Sequence, residues 1–202
     1  MRIGLWIGII LPAVMIPAPG QNARLRAGEE APQPLRGEVH FFADPAPLRS
    51  FQELCEKSDA IVEGVVETAA ARMILPSRMA RVETDAWIGV TLVLKGPNAR
   101  KVVVAEDGGT FGELRMIGNY PLMQRDERYI LFLWKDTRPG IPPIEDLPRY
   151  RIYNIAFGKY PVDHGKIHLA NGGFAQYNGA TVDAFSAEIA AQLKQAPEVR
   201  GR

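Results

Sequence analysis

Arg81-Val82-Glu83-Thr84-Asp85-Ala86-Trp87-Ile88-Gly89-Val90-Thr91-Leu92-Val93-Leu94-Lys95 is the stretch that decides the fold. Its even positions carry Val82, Thr84, Ala86, Ile88, Val90, Leu92 and Leu94. Its odd positions carry Arg81, Glu83, Asp85, Trp87, Gly89, Thr91, Val93 and Lys95. Successive side chains of a strand point to opposite faces, so this period of two predicts a long half-buried strand. Lys95-Gly96-Pro97-Asn98 closes it in a turn, and Val102-Val103-Val104 marks the next strand over residues 101–107. Upstream, Ala60-Ile61-Val62-Glu63-Gly64-Val65-Val66-Glu67 is a β-branched run whose Gly64 marks a bulge or sharp coil.

Further along, Arg128-Tyr129-Ile130-Leu131-Phe132-Leu133-Trp134 is apolar enough to be covered on both faces. Residues 108–127 read as irregular, with Gly112, Gly118 and Pro121 against a long helix. A proline-rich loop precedes a fifth strand at 150–156, and residues 160–162 and 166–169 form a hairpin across Asp163-His164-Gly165. Leu48, Phe51, Leu54 and Cys55 make one apolar stripe on a short helix at 48–57. A second helix begins after Thr181 as N-cap, with Val182, Phe185, Ile189 and Leu193 on one face, and stops at Pro197. Strands that follow one another without intervening helices predict a mainly β fold: an antiparallel sheet of five to six strands closed into a small barrel, flanked by N- and C-terminal helices.

Composition sets the outer bounds. The 202 residues suffice for one domain, and 47% apolar with 23% charged residues excludes wholesale disorder and a multi-span membrane protein. The single cysteine excludes a disulfide framework and a cysteine-based zinc cage. Residues 1–20 read as a signal peptide: Met1-Arg2, an apolar run from Ile3 to Ile16, then Ala18-Pro19-Gly20. That run reaches only ~21 Å at ~1.5 Å per residue, short of the ~30 Å hydrocarbon core. Export to the periplasm or the cell exterior is the expectation, with no membrane contact after cleavage. Residues 21–47, rich in Pro, Gly and charge, read as a flexible lead-in to a domain at 48–196, and 197–202 as a tail. Losing residues 1–20 removes Arg2 and no acid, which leaves 23 Lys and Arg against 23 Asp and Glu. A neutral chain argues against nucleic acid as a partner.

The run Ser58-Asp59-Ala60-Ile61-Val62-Glu63-Gly64-Val65-Val66, the strand end Leu92-Val93-Leu94-Lys95-Gly96 and Asp126-Glu127-Arg128-Tyr129-Ile130-Leu131-Phe132-Leu133 together resemble the OB-fold-like domains of secreted bacterial proteins of unknown function. More distantly, residues 50–170 are similar to the netrin-type module of the tissue inhibitors of metalloproteinases. The resemblance implies an OB-like barrel. It does not carry the inhibitors' zinc-chelating N-terminal cysteine, because the expected mature start is Gln21-Asn22 and the only cysteine is Cys55.

Chemistry-bearing patterns are sparse. Gly-x-Ser-x-Gly, Ser-x-x-Lys and His-Glu-x-x-His are absent, so no catalytic residue is assigned and the expectation is a non-enzyme. His164 and His168 fall on a hairpin, where a spacing of four separates them by ~13 Å, so no metal site and no cofactor is assigned. Cys55 reads as a small core residue. The best candidate surface is Arg149-Tyr150-Arg151-Ile152-Tyr153-Asn154-Ile155-Ala156-Phe157-Gly158-Lys159-Tyr160, in which cations and aromatics alternate as on stacking surfaces. Trp87, Tyr150, Arg151, Tyr153 and Tyr160 are therefore the candidate ligand contacts of a binding or interaction module for a protein, peptide or glycan. The alternatives are a small secreted hydrolase using surface carboxylates and an oligonucleotide-binding OB domain.

Overall fold

A computed structural model of the chain describes residues 36–43, 47–74, 81–139, 141, 144, 146–169 and 172–195. The expected signal peptide at 1–20 and the tail at 197–202 lie outside the described residues. The fold is mainly β, with ten strands and two α-helices among the described residues. In chain order these are β1 (Gly37–Phe41), α1 (Phe51–Lys57), β2 (Ala60–Ile74), β3 (Arg81–Lys95), β4 (Lys101–Asp107), β5 (Gly109–Phe111) and β6 (Leu114–Gly118). Then come β7 (Arg128–Lys135), β8 (Arg149–Ile152), β9 (Lys159–Asp163), β10 (Lys166–Ile167) and α2 (Val182–Gln195).

The main sheet runs β10-β9-β7-β2-β3-β4-β8, and β8 pairs again with β7. The pairings of β2, β3, β4, β8 and β7 thus close into a ring. Every pairing in it is antiparallel except β4 with β8, where Val103, Val104 and Ala105 meet Arg149, Tyr150 and Arg151 in parallel. The all-antiparallel expectation is corrected here. Parallel neighbours need a long crossover, and the 41 residues between β4 and β8 supply it.

β7 is covered on both faces as its composition predicts. Tyr129, Leu131 and Leu133 join Val62, Val66, Ala86, Ile88, Val102, Val104, Tyr150 and Ile152 in the cluster shared by the ring strands. Ile130 and Phe132 point the other way, into a second cluster with Ile61, Tyr160, Phe51, Leu54, Cys55, Phe185 and Ile189. Both helices dock there. α1 starts at Phe51 rather than 48 because the Ser50 Oγ caps it, accepting from the Glu53 amide at 3.1 Å. At its other end Lys95 Nζ donates to the carbonyls of Cys55 and Glu56 at 2.9 and 2.7 Å. Thr181 caps α2 as expected, its Oγ1 accepting from the Ala184 amide at 3.2 Å.

Gly64 sits where the β2–β3 register shifts, as a mid-strand glycine predicts. A Cβ there would lie 2.5 Å from the Ile88 Cγ2 and 2.7 Å from the Gly89 carbonyl oxygen. Gly64→Ala is therefore expected to lower stability by ~1–3 kcal/mol through overpacking, read as a shifted denaturation midpoint.

Three expectations shift. Residues 37–41, read as lead-in, form β1, which pairs in parallel with β6. Residues 108–127, read as irregular, contain β5 and β6. Both segments are short and pair with each other rather than with the main sheet, so neither shows a long alternation in sequence. The fifth strand ends at Ile152 rather than 156, because the chain turns at Asn154 (φ 54°) and the amides of Phe157 and Gly158 donate back to the Asn154 carbonyl. One buried ion pair holds the 119–127 segment: Lys159 Nζ donates to Glu106 Oε1 at 2.5 Å and to the Pro121 carbonyl. The other Glu106 oxygen accepts from the Met123 amide at 2.7 Å.

Candidate ligand face

Strand register lays out the outward face of β3, β4 and β8. One row runs Trp87, Val103, Arg149; the next runs Asp85, Ala105, Arg151 and on to Trp134 of β7; beyond them Glu83 stands beside Asp107. The odd positions of β3 were expected to face solvent, yet Glu83 and Asp85 are 0% and 1% exposed. Buried carboxylates persist only where cations and hydrogen bonds replace water, and here arginines do so.

Glu83 Oε1 accepts from Arg138 and, at 2.9 Å, from Arg151; its Oε2 accepts from Arg138 and Arg149, both at 3.0 Å. Asp85 Oδ1 accepts from Arg149 Nη2 at 2.7 Å and Nε at 3.2 Å, while Arg72 Nε stands 2.7 Å from its Oδ2. Asp136, just past β7, accepts from Arg138 Nε at 2.9 Å and Nη2 at 2.8 Å and pairs with Arg149. Asp107 takes Arg151 Nη2 at 2.6 Å and lies 3.3 Å from Arg81. Among the described residues five guanidiniums thus surround four carboxylates, one positive charge in excess.

Burial pushes the Glu83 carboxyl up, but its hydrogen bond from Arg138 and the charges of Arg151 and Arg138 outweigh this and hold it at about 2. Asp136 is likewise raised by burial and brought down to about 2 by Arg138. Arg72 is the least satisfied member: its Nε and one terminal nitrogen are buried without a hydrogen bond, and desolvation lowers its pKa.

The structure brings together only part of the sequence-derived surface. Trp87 and Arg151 lie on this face, the former half-buried and the latter bound into the network. Tyr150, one residue out of phase with its neighbouring arginines, points into the ring cluster and is 4% exposed. Tyr160 is fully buried in the helix-side cluster, and Tyr153 packs against that same cluster. Alternation over 149–152 is thus an inside–outside pattern, and beyond the turn at Asn154 Tyr160 belongs to a separate strand, β9. Trp134, 48% exposed and level with Arg151, was missed, as were Glu83, Asp85, Asp136, Arg138 and Arg149. The available signal was the match between acid-x-acid at 83–85 and Arg-x-Arg at 149–151, each spaced to put both charges on one strand face.

Elsewhere, Cys55 is buried and its thiol is pushed up to about 12 by desolvation. His164 occupies the β9–β10 turn at φ 48°, with its Nδ1 2.7 Å from the Asp163 carboxylate, both exposed. Among the described residues no three His, Cys, Asp or Glu side chains are placed to hold a metal ion. No described helix is long and apolar enough to cross a membrane. Neither the models of known protein families nor the curated proteins yield a match to this chain.

Proposed function

We propose that this chain is an exported, non-enzymatic binding module built on an OB-like barrel. The order of pairing supports the fold: taking β2, β3, β4, β7 and β8 as strands one to five, the ring reads one-two-three-five-four-one, with three and five parallel, which is the OB order. OB domains bind across the face of their second and third strands, beside the loop that joins the fourth and fifth. In this chain those strands are β3 and β4, and that loop carries Asp136 and Arg138 onto the Glu83 carboxylate. The similarity to secreted OB-like domains and the signal-like residues 1–20 point the same way.

One observation carries the ligand reading: an arginine-rich network, with one surplus positive charge among the described residues, is locked beside the exposed ring of Trp134 and the half-buried Trp87. Fixed guanidiniums meet carboxylates without further ordering cost, and indole rings accept flat apolar faces. The partner is a protein, peptide or glycan that presents a carboxylate next to an apolar surface. Immobilised acidic peptides and uronic-acid glycans, probed with the full chain, test this. Binding is expected to fall at least about tenfold in a Trp87→Ala/Trp134→Ala variant with unchanged circular dichroism, a loss of about 1.4 kcal/mol or more. Equal binding by wild type and variant, or turnover of a probe, overturns it.

A further inference from the structure

β2 is longer than the strand that flanks it. Its pairing with β7 ends at Val65 opposite Arg128, and Val66 makes the last backbone bonds on that side, to Glu127 and Asp126. From there to Ile74 the strand pairs with β3 alone, and among the described residues no strand lies along its other edge. The open stretch, Glu67-Thr68-Ala69-Ala70-Ala71-Arg72-Met73-Ile74, is exposed through Ala70 and half-buried beyond it. Edge strands are normally shielded by lysines, prolines or short length. This one has no Lys or Pro and runs ~23 Å at ~3.3 Å per residue over its last seven positions. Its central side chains are three alanines, which leave the backbone donors and acceptors open to a neighbouring strand.

The charges on this edge are placed for self-pairing. Glu67 lies over Gly89, where an added Cβ would meet its Oε1 at 2.6 Å, and it pairs with Lys101 on the outward face. Arg72 stands on that same face against Asp85, with buried guanidinium nitrogens that lack a hydrogen bond. We propose that two copies of this chain join edge to edge through residues 67–74, antiparallel, about a two-fold axis at Ala70. Ala70 then faces Ala70 of the second copy, Ala69 faces Ala71, and Thr68 faces Arg72. Glu67 falls beside Arg72 of the second copy, so an opposite-charge contact forms twice, once on each side of the axis. Such a self-complementary edge is an isologous interface, and its backbone bonds supply affinity as in strand addition to any sheet edge. The dimer does not depend on the ligand reading above.

Cysteine placement at the axis gives the test. Directly opposed residues of an antiparallel pair have Cβ atoms ~4.5–5.5 Å apart, within reach of a disulfide after small adjustment. The full chain carrying Ala70→Cys, incubated with oxidised glutathione, is expected to form a dimer linked at position 70; Thr68→Cys, facing Arg72, is expected to stay unlinked. The buried Cys55 thiol takes no part. By sedimentation the wild type is expected to dimerise. Ala70→Lys, which sets like charges against each other at the axis, is expected to weaken the dimer at least about tenfold with unchanged circular dichroism. A wild type that remains monomeric at its highest soluble concentration, or equal linkage at positions 68 and 70, overturns the proposal. Strand addition by a different peptide without self-association is one such overturning result.

Discussion

Glu83→Ala is expected to cost about 3–5 kcal/mol of folding stability, the effect of removing one partner from a buried ionic cluster. The side chain is fully buried and accepts from three arginines, Arg138, Arg149 and Arg151. Its loss strands their charges where water reaches poorly. The remaining carboxylates Asp85 and Asp136 already hold Arg149 and Arg138 and have little capacity left for them. Chemical denaturation followed by circular dichroism measures the loss, and a change within ~0.5 kcal/mol would contradict the role given to Glu83.

The pH dependence follows from the same groups. Glu83 and Asp136 titrate at about 2 in the folded protein, below their ordinary values near 4.5 and 3.8. A carboxyl with a lowered folded pKa contributes its full stability above the unfolded value and loses it as pH falls toward the folded one. For Glu83 the contribution is about 3 kcal/mol at ~1.4 kcal/mol per unit. Wild-type stability is therefore expected to hold at neutral pH and to fall between pH ~4.5 and ~2. The Glu83→Ala curve is expected to be flatter across that window.

Phe132→Ala is expected to cost about 3–5 kcal/mol for a different reason, a cavity that its neighbours cannot fill. Phe132 is fully buried at the centre of the helix-side cluster. Its ring lies 5.8 Å from that of Phe51 in α1, 5.7 Å from Tyr160 in β9 and 6.4 Å from Phe185 in α2. One truncation thus loosens both helices from the sheet at once. Loss of helical signal before the β signal on heating would accompany it, whereas a change under 1 kcal/mol would show that the helices dock independently of this ring.

Where one rule of chain geometry dominated, the fold was legible in the sequence. The alternation of 81–95 defined β3 to the residue, and the unbroken apolar run 129–134 marked β7 as covered on two sides. The cap at Thr181 follows from local hydrogen bonding alone, whereas the cap at Ser50 shortens a helix that the apolar stripe starts at 48. What escaped was set by distant pairing. β1, β5 and β6 are short strands that exist through one another. The parallel β4–β8 contact depends on a crossover whose path local residue patterns do not encode.

The candidate face was half legible. Trp87 and Arg151 lie on it, but Tyr150 turns inward because Arg149 and Arg151 take the outward phase of β8, and Tyr160, beyond the turn at Asn154, belongs to β9 and the helix-side core. The acids at 83 and 85 read as solvent-facing because a period of two cannot reveal that arginines from β2, β8 and the 136–148 loop will cover them.

The ring depends on a single parallel contact, and without it β3, β4 and β8 share no face on which Trp87, Arg151 and Trp134 meet. That contact includes a hydrogen bond from the Val103 amide to the Pro148 carbonyl at 3.0 Å. Nuclear magnetic resonance detects such a bond directly, as a scalar coupling between the Val103 amide nitrogen and the Pro148 carbonyl carbon. The coupling is expected to be present, with a slowly exchanging Val103 amide. A missing coupling together with a rapidly exchanging amide would contradict the closed ring and the ligand face built on it.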